Sequence, residues 1–254
     1  MDIRNNKYYK IAGHASSSIN YPADYYIRKY GSKALKILDL GCGEGTRLNL
    51  IPNKSALKVG VDASKLAIDI CKKKYPTIKS KQVKVTLPFN DGTFDFVYSA
   101  FVLEHTKQTE KFISEAVRVL SKNGVILFVA PNFGSPNRQS PNGLNNRYKK
   151  IINGFICDLG HFFSGKVNSL DWQKVTPQEI YTEIDADTTI EPYLLSFEKY
   201  MTFLGIKKTK IDSLWSQEKN KFGVQTIFKF LAGLKIYPFY YWGPHMLYIG
   251  KKND

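Results

Sequence analysis

Short apolar runs alternate with amphipathic segments through the first half of the chain, and this alternation constrains the fold more than any other feature. Five runs are typical of strands: Lys36–Leu40, Lys58–Asp62, Gln82–Val85, Phe94–Ala100 and Val125–Ala130. Segments with helical spacing of apolar residues lie between several of them. Strands joined through such helices form right-handed βαβ units in a parallel sheet that is covered on both faces. The pattern therefore predicts a doubly wound α/β domain.

After the fifth strand the amino-acid composition changes. The segment Asn132–Arg147 is dense in Gly, Pro, Asn and Ser, which predicts a long loop. Regular structure is expected to resume with a helix at Pro192–Gly205 and two closing strands, Lys208–Ile211 and His245–Ile249. We expect one domain over residues 1–254 with a seven-stranded, mostly parallel sheet. Its parts would be an N-terminal cover to about residue 30, a cofactor-binding core at 36–131, an acceptor lid to about residue 192 and closing elements at 193–254. A surface insertion is the alternative to the lid.

Composition narrows the class of protein. The chain is 43% hydrophobic over 254 residues, so it can bury a proper core. The first residues lack the apolar stretch of a signal peptide, and no apolar run approaches the roughly 20 residues of a membrane span. The three cysteines have no CxxC spacing, so we predict neither a disulfide frame nor a metal site. A cytoplasmic protein is expected.

The net charge of +15 needs a separate explanation. A lysine-rich solvated surface is the simpler one, and a nucleic-acid or anionic-membrane partner is the alternative. Lysine far outnumbers arginine in this chain, whereas planar phosphate and base recognition favours arginine. We therefore expect no nucleic-acid partner. No oligomeric state is predicted from these patterns.

The first strand runs directly into three glycines: Gly41, Gly43 and Gly45. A dinucleotide fingerprint needs a glycine at position 46, which is Thr46, and a Walker loop needs Lys-Ser or Lys-Thr after its last glycine. The second strand ends in Asp62, where an acid can accept hydrogen bonds from ribose hydroxyls. The spacing favours a ligand with a ribose, no diphosphate and a positively charged tail near Asp39. S-adenosylmethionine has these parts.

Four motifs extend this pattern: ILDLGCGEGT (37–46), VGVDAS (59–64), LPFNDGTFDFVYSAFVLEHT (87–106) and VRVLSKNGVILFVAPN (117–132). In this order they resemble the class I S-adenosylmethionine-dependent methyltransferases of the UbiE-like type. The resemblance implies that the methionine portion is held by Asp39 and the glycine loop: Gly41, Cys42, Gly43 and Gly45. It implies that Asp62 binds the ribose, that Ala63 lies beside the adenine and that Phe101 lines the cofactor cleft. The family usually carries an acid for the adenine near the position of Val83, and this chain has none there.

The acceptor is predicted from the second half. Ser169–Pro177 and Asp185–Leu195 resemble the variable region of methyltransferases found among bacterial surface-polysaccharide enzymes. That resemblance implies a sugar hydroxyl, in a polysaccharide or its lipid-linked precursor. A quinone-type or other small molecule, an RNA ribose, and a non-catalytic binding module that keeps the cofactor fold are the alternatives. No Asn/Asp-Pro-Pro-aromatic motif follows the fourth strand and no cysteine follows a proline, which disfavours base methylation.

Two histidines are candidates for the base that an oxygen nucleophile requires. His105 follows the fourth strand, and ordering of its loop is the alternative role. His161 lies in the acceptor segment close to Asp158, and a surface position is the alternative. His14 is assigned to the N-terminal cover. Four aromatic residues are candidates for stacking on sugar rings: Trp172, Tyr193, Trp215 and Trp242.

A second prediction concerns the membrane. The helix predicted at Ile227–Leu234 combines phenylalanines with Lys229, and Lys235 follows it. Such a helix either packs on its own sheet or lies on a membrane interface, which would suit a lipid-linked acceptor. A peripheral position at the inner membrane surface is therefore kept beside the cytoplasmic prediction.

Overall fold

The computed structural model describes residues 21–143, 146–163, 167–178, 185, 187–217 and 223–253. Its helices are α1 (Pro22–Gly31), α2 (Thr46–Asn49), α3 (Lys65–Lys74), α4 (Thr109–Val119), α5 (Arg147–Phe163), α6 (Leu194–Phe203) and α7 (Val224–Gly233). Its strands are β1 (Lys36–Leu40), β2 (Leu57–Asp62), β3 (Lys79–Gln82), β4 (Phe94–Ala100), β5 (Leu120–Pro131), β6 (Ile206–Asp212) and β7 (His245–Lys252). Two 3₁₀ turns are formed by Leu103–His105 and Trp215–Gln217. Among the described residues, no helix is both long enough and apolar enough to cross a bilayer.

The strands form one seven-stranded sheet in the order β3-β2-β1-β4-β5-β7-β6. Strand β1 pairs in parallel with both β2 and β4, and the register sets Asp39 between Gly60 and Tyr98. The chain moves outward from β1 to β3 and then returns to β4, so the order reverses beside β1. Ligands of such sheets bind beyond the carboxyl ends of the strands at this reversal. The doubly wound α/β architecture is confirmed.

The described residues divide into two compact units. The first comprises residues 21–100, Lys111–Leu127 and 251–253, and the second comprises Phe101–Glu110 and the described part of Phe128–Gly250. The first unit buries the apolar residues of β1 and β4, and α1 adds Ala23 and Ile27 to that core. In the second unit Phe197 meets Phe128 and Tyr248 edge-on, with ring centroids 5.2 and 5.3 Å away. Each unit therefore has a core of its own.

Strand β3 differs from its prediction, and helix α2 is short. The third strand lies at Lys79–Gln82, before the predicted Gln82–Val85. It is a largely exposed edge strand, so it lacks the apolar residues by which a strand is recognised. Helix α2 has only four residues, and its N-cap is Gly45, without a side-chain cap from Glu44 or Thr46. Those two side chains bond each other instead, at 2.7 Å.

The largest difference lies in the segment after β5. No helix or strand occupies residues 132–143, as the loop prediction requires, but α5 then forms a 17-residue helix where no element was predicted. Two glycines and an asparagine weaken its intrinsic helix propensity. Its apolar residues recur at helical spacing, but most of the side that they form is exposed instead of turned to the core. The role of this segment as a lid stays a prediction. Of the predicted N-terminal cover, residues 1–20 with His14 lie outside the described residues.

Candidate functional site

The glycine loop of the first unit is shaped by positive φ angles. Gly41, Gly43 and Gly45 have φ values of 80°, 54° and 87°, which side chains rarely adopt. A Cβ on Gly45 would lie 2.5 Å from the Sγ atom of Cys71, whereas a Cβ on Gly43 would meet nothing within 4 Å. Packing therefore requires the glycine at 45. The space beside Gly43 admits a ligand close to the backbone.

A buried polar cluster holds the far end of this loop. The Lys74 ammonium donates to the Glu44 carboxylate at 2.9 Å and to the Thr46 hydroxyl at 3.0 Å. Glu44 is 5% exposed, so the ion pair is shielded from water on the acid's side. The sequence does not indicate this cluster, because Lys74 stands in a lysine run of the kind that usually lies in solvent at the end of a helix.

Asp39 is a buried carboxylate at the carboxyl end of β1. It accepts a hydrogen bond from the Tyr98 hydroxyl at 2.6 Å, across the β1–β4 pairing. Burial raises the pKa of Asp39 to about 7, although the Tyr98 hydrogen bond and the attraction of Arg47 act to lower it. A cation brought against this carboxylate would stabilise its ionised form. The α-amino group of S-adenosylmethionine is such a cation.

Asp62 is oriented by two backbone amides. Its carboxylate accepts hydrogen bonds from the N–H groups of Gly43 at 2.9 Å and Ser64 at 2.8 Å. These bonds fix the orientation of the Asp62 carboxylate at the carboxyl end of β2, where an acid can meet ribose hydroxyls. The oriented acid, the open side of Gly43 and the buried Asp39 together fit the ribose, the backbone approach and the ammonium of S-adenosylmethionine.

The adenine end is defined less fully. Gln82 donates to the carbonyl of Ala63 at 2.9 Å, and the backbone N–H of Val83 donates to the carbonyl of Asp62 at 2.9 Å. The Val83 amide is therefore already used within the protein. The contact of Ala63 with adenine stays a prediction.

Phe101 and His105 lie in the second unit, directly after β4. Phe101 has a φ of 59°, which is uncommon for a bulky residue, and its N–H donates to Val129 at 2.8 Å. The His105 Nδ1 atom lies 3.3 Å from both the carbonyl and the carboxylate of Asp187. These contacts agree with the loop-ordering alternative for His105. Phe101 as part of the cofactor cleft stays a prediction.

A cluster of possible ligand atoms surrounds His105. Within the part of the chain that the structure describes, one atom each from Glu104, His105 and Asp185 lies within 4.8 Å of the others. That spacing is compatible with a shared cation, although acid-rich groups of this kind are also common without one. The absence of a metal stays a prediction.

A cavity of about 320 Å³ lies within the second unit. Its lining includes two residues of α5 and four of the segment that follows: Asp158, His161, Asp171, Trp172, Glu191 and Tyr193. Cavities of this order suit small organic ligands. Of the four aromatic residues predicted to stack on sugars, Trp172 and Tyr193 line this cavity, and Trp215 packs against Phe228 instead.

Asp158 is almost fully buried, at 1% exposure, as is Glu191 of the same cavity. Its Oδ2 atom accepts three hydrogen bonds, from the Tyr193 hydroxyl at 2.6 Å and from the Tyr237 hydroxyl and the Trp242 indole at 3.0 Å each. Its Oδ1 atom is buried and accepts none from the described residues. Burial raises the pKa of Asp158, and the three donors and nearby His161 act to lower it.

His161 lies one turn further along α5 on the same side. Its imidazole is 13% exposed, with Nε2 3.9 Å from a carboxylate oxygen of Asp171. Its Nδ1 atom is buried and has no hydrogen-bond partner in the described structure. His161 therefore lies on a helix that lines a cavity and not in a surface loop, and its role as the base stays a prediction.

Comparison with known proteins agrees with this fold. Residues 38–128 match the family model described as a methyltransferase domain. The chain is 34% identical to the ubiquinone biosynthesis O-methyltransferase of Pelagibacter ubique over 117 residues, covering 44% of this chain and 48% of that protein. It is 30% identical to the ubiquinone/menaquinone biosynthesis C-methyltransferase UbiE of Campylobacter jejuni over 131 residues, covering 44% and 55% respectively. The chain spans about half the length of the curated relatives it matches.

Solved structures extend the likeness to almost the whole chain. A crystal structure of an S-adenosylmethionine-dependent methyltransferase from Mesorhizobium loti superposes with a TM-score of 0.56 at 13% identity, over 93% of this chain and 99% of that one. At such identity the likeness concerns the fold. The motifs, the strand order and these matches give the chain the fold of the class I S-adenosylmethionine-dependent methyltransferases, and residues 38–128 match a methyltransferase domain.

Proposed function

We propose that the protein transfers the methyl group of S-adenosylmethionine to a sugar hydroxyl, in a polysaccharide or its lipid-linked precursor. One observation carries the choice of acceptor. The lining of the cavity in the second unit combines polar side chains, among them Asp158, His161 and Asp171, with the rings of Trp172 and Tyr193. Polar groups beside aromatic rings suit a ligand that carries hydroxyl groups on an apolar ring.

The cofactor supplies an electrophilic methyl group, and the chain must orient the acceptor and take its proton. The imidazole of His161, which lines the cavity, is the candidate to take the proton of the attacking hydroxyl. The rings of Trp172 and Tyr193 supply apolar wall against the ring carbons. Positioning of this kind accounts for much of the catalysis of a displacement reaction.

A phenolic ring such as a quinol is the second candidate acceptor. Its support is the relative named ubiquinone biosynthesis O-methyltransferase, at 34% identity over part of the chain. A quinol presents few hydroxyls for its size, so it would satisfy fewer of the polar groups of the cavity than a sugar would.

The test is a labelling experiment with purified protein, methyl-tritiated S-adenosylmethionine and an extract of the source cells. The extract is divided afterwards into polysaccharide, lipid and RNA fractions, and Asp62→Ala serves as the cofactor-binding control. Label in polysaccharide or in lipid-linked sugar, lost with Asp62→Ala, is the expected result. Label in ribonuclease-sensitive material or in a quinone would refute the sugar acceptor. Binding of the cofactor without transfer to any fraction would favour the non-catalytic alternative.

A further inference from the structure

Helix α5 has the opposite polarity to an ordinary surface helix. Its inward side carries Asp158, 1% exposed, and His161, which both line the cavity. Its outward side carries large apolar residues: Ile152 and Ile156 are each 61% exposed and Phe163 is 87% exposed. A helix of a water-soluble domain normally turns its apolar stripe to the core and its polar side to the solvent. The outward side of α5 therefore fits an apolar environment better than water.

The apolar surface continues beyond α5. Phe155 and Phe162 pack on Tyr237, with ring centroids 6.0 and 5.4 Å away, and the neighbouring Ile236 is itself 41% exposed. We call this surface the α5–α7 face. Its exposed members are Ile152, Phe155, Ile156, Leu159, Phe162 and Phe163 of α5, Ile227 and Phe230 of α7, and Leu234 and Ile236 after α7. Exposed apolar surface of this extent marks an interaction site rather than ordinary solvent exposure.

The exposed charged residues on α5, on α7 and directly after α7 have one sign. Arg147 and Lys149 are exposed at the start of α5, Lys229 is exposed on α7 and Lys235 is exposed after it. The only acid in either helix is Asp158, whose side chain is buried in the cavity. The chain as a whole carries a formal charge of +15. Apolar residues flanked by basic ones complement a bilayer that contains anionic lipids.

We propose that the α5–α7 face docks on the surface of an anionic lipid bilayer. Because α5 also lines the cavity with its opposite side, docking would hold the cavity at the membrane. Docking itself does not depend on the proposed function. Its consequence for the acceptor does rest on that function: a cavity held at the membrane favours the lipid-linked precursor over a free polysaccharide. A second copy of the chain is the competing occupant of this face, and the experiment distinguishes it.

The experiment is vesicle flotation in a density gradient, which separates bound protein from aggregates. The probe is vesicles of phosphatidylcholine and phosphatidylglycerol in equal parts, with pure phosphatidylcholine for comparison. The test variant is Ile156→Ser/Phe163→Ser, and the matched control is Leu35→Ser/Phe203→Ser, which removes two side chains that are 72% and 51% exposed elsewhere. All four sites are exposed, so the variants should fold, and thermal denaturation checks this.

Wild type and control should float with the anionic vesicles, less in high salt. The test variant should lose at least about tenfold in partitioning, as expected for removal of two large apolar side chains from a lipid interface. Failure of wild type to float, or equal flotation of the test variant, would overturn the proposal. So would a dimer in lipid-free solution that the test variant dissociates. Flotation needs no methyl transfer, so flotation without label in any sugar would refute the proposed function and leave docking intact.

Discussion

Replacing the buried acid Asp39 with its neutral isostere should stabilise the protein while removing its cofactor. The carboxylate is 3% exposed, and burial raises its pKa from 3.8 to about 7. A carboxyl group with a raised folded-state pKa binds its proton more tightly when folded. Its contribution to stability is therefore most favourable below pH 3.8 and is lost as the pH rises towards 7. Asp39→Asn avoids this loss, because asparagine stays neutral and can still accept the hydrogen bond from Tyr98.

The size of the effect follows from the two pKa values. Because Asp39 ionises about three pH units later in the folded chain than in the unfolded one, its ionisation costs about 2 kcal/mol of stability near pH 5 and about 4 kcal/mol near pH 8. Asp39→Asn should therefore raise the free energy of unfolding, by an amount that grows by about 2 kcal/mol between these two conditions. The cofactor is left out of this measurement, since its cation would favour the ionised form and reduce the difference.

Urea denaturation near pH 5 and near pH 8 provides the assay, with Asp69→Asn as the control. Asp69 is an exposed acid on α3 whose pKa is lowered by a hydrogen bond from Lys65, so its neutralisation should give no gain. The same Asp39→Asn protein should show little binding of S-adenosylmethionine in calorimetry. A loss of stability in Asp39→Asn, or a gain that does not increase with pH, would refute the reasoning.

The cofactor site and the cavity lead to three further predictions. Affinity for S-adenosylmethionine should rise by up to about tenfold per pH unit between about pH 5 and about pH 7, because Asp39 must ionise to meet the ammonium. An affinity that calorimetry finds to be independent of pH would contradict this. Gly43→Ala should weaken cofactor binding in calorimetry and cost about 1–2 kcal/mol of stability. Gly45→Ala should destabilise the protein more in urea denaturation, because its Cβ meets Cys71. A larger loss of stability in Gly43→Ala than in Gly45→Ala would contradict this. His161→Ala should lower kcat by about 10²–10⁴-fold in the transfer assay, whereas His105→Ala should mainly lower the free energy of unfolding; the opposite pattern would make His105 the base.

The cofactor half of the fold was predictable from sequence because short-range patterns determine it. Apolar runs identified the strands of the sheet other than β3, and the glycine spacing placed a loop where β1 ends. The position of strand β3 was not predicted correctly, because an edge strand carries few apolar residues. The loop's supports, Glu44 and Lys74, lie 30 residues apart, and no local pattern relates them.

The acceptor half was less predictable, for a physical reason. Helix α5 carries its polar residues inward and its apolar residues outward, so periodicity alone could not distinguish its sides. His161 was named as a candidate from its neighbourhood in sequence, but the three donors to Asp158 come from positions 193, 237 and 242. Such convergence depends on tertiary structure.

The most direct test of the central claim is to identify the atom that receives the methyl group. Purified protein is incubated with S-adenosylmethionine that carries a heavy-isotope methyl group and with the lipid-linked and polysaccharide fractions. The product is hydrolysed in acid and its monosaccharides are analysed by mass spectrometry. The account predicts an O-methylated sugar that is absent with Asp62→Ala and strongly reduced with His161→Ala. A labelled methyl group on a quinone or on an RNA ribose, with none on a glycan sugar, would contradict it.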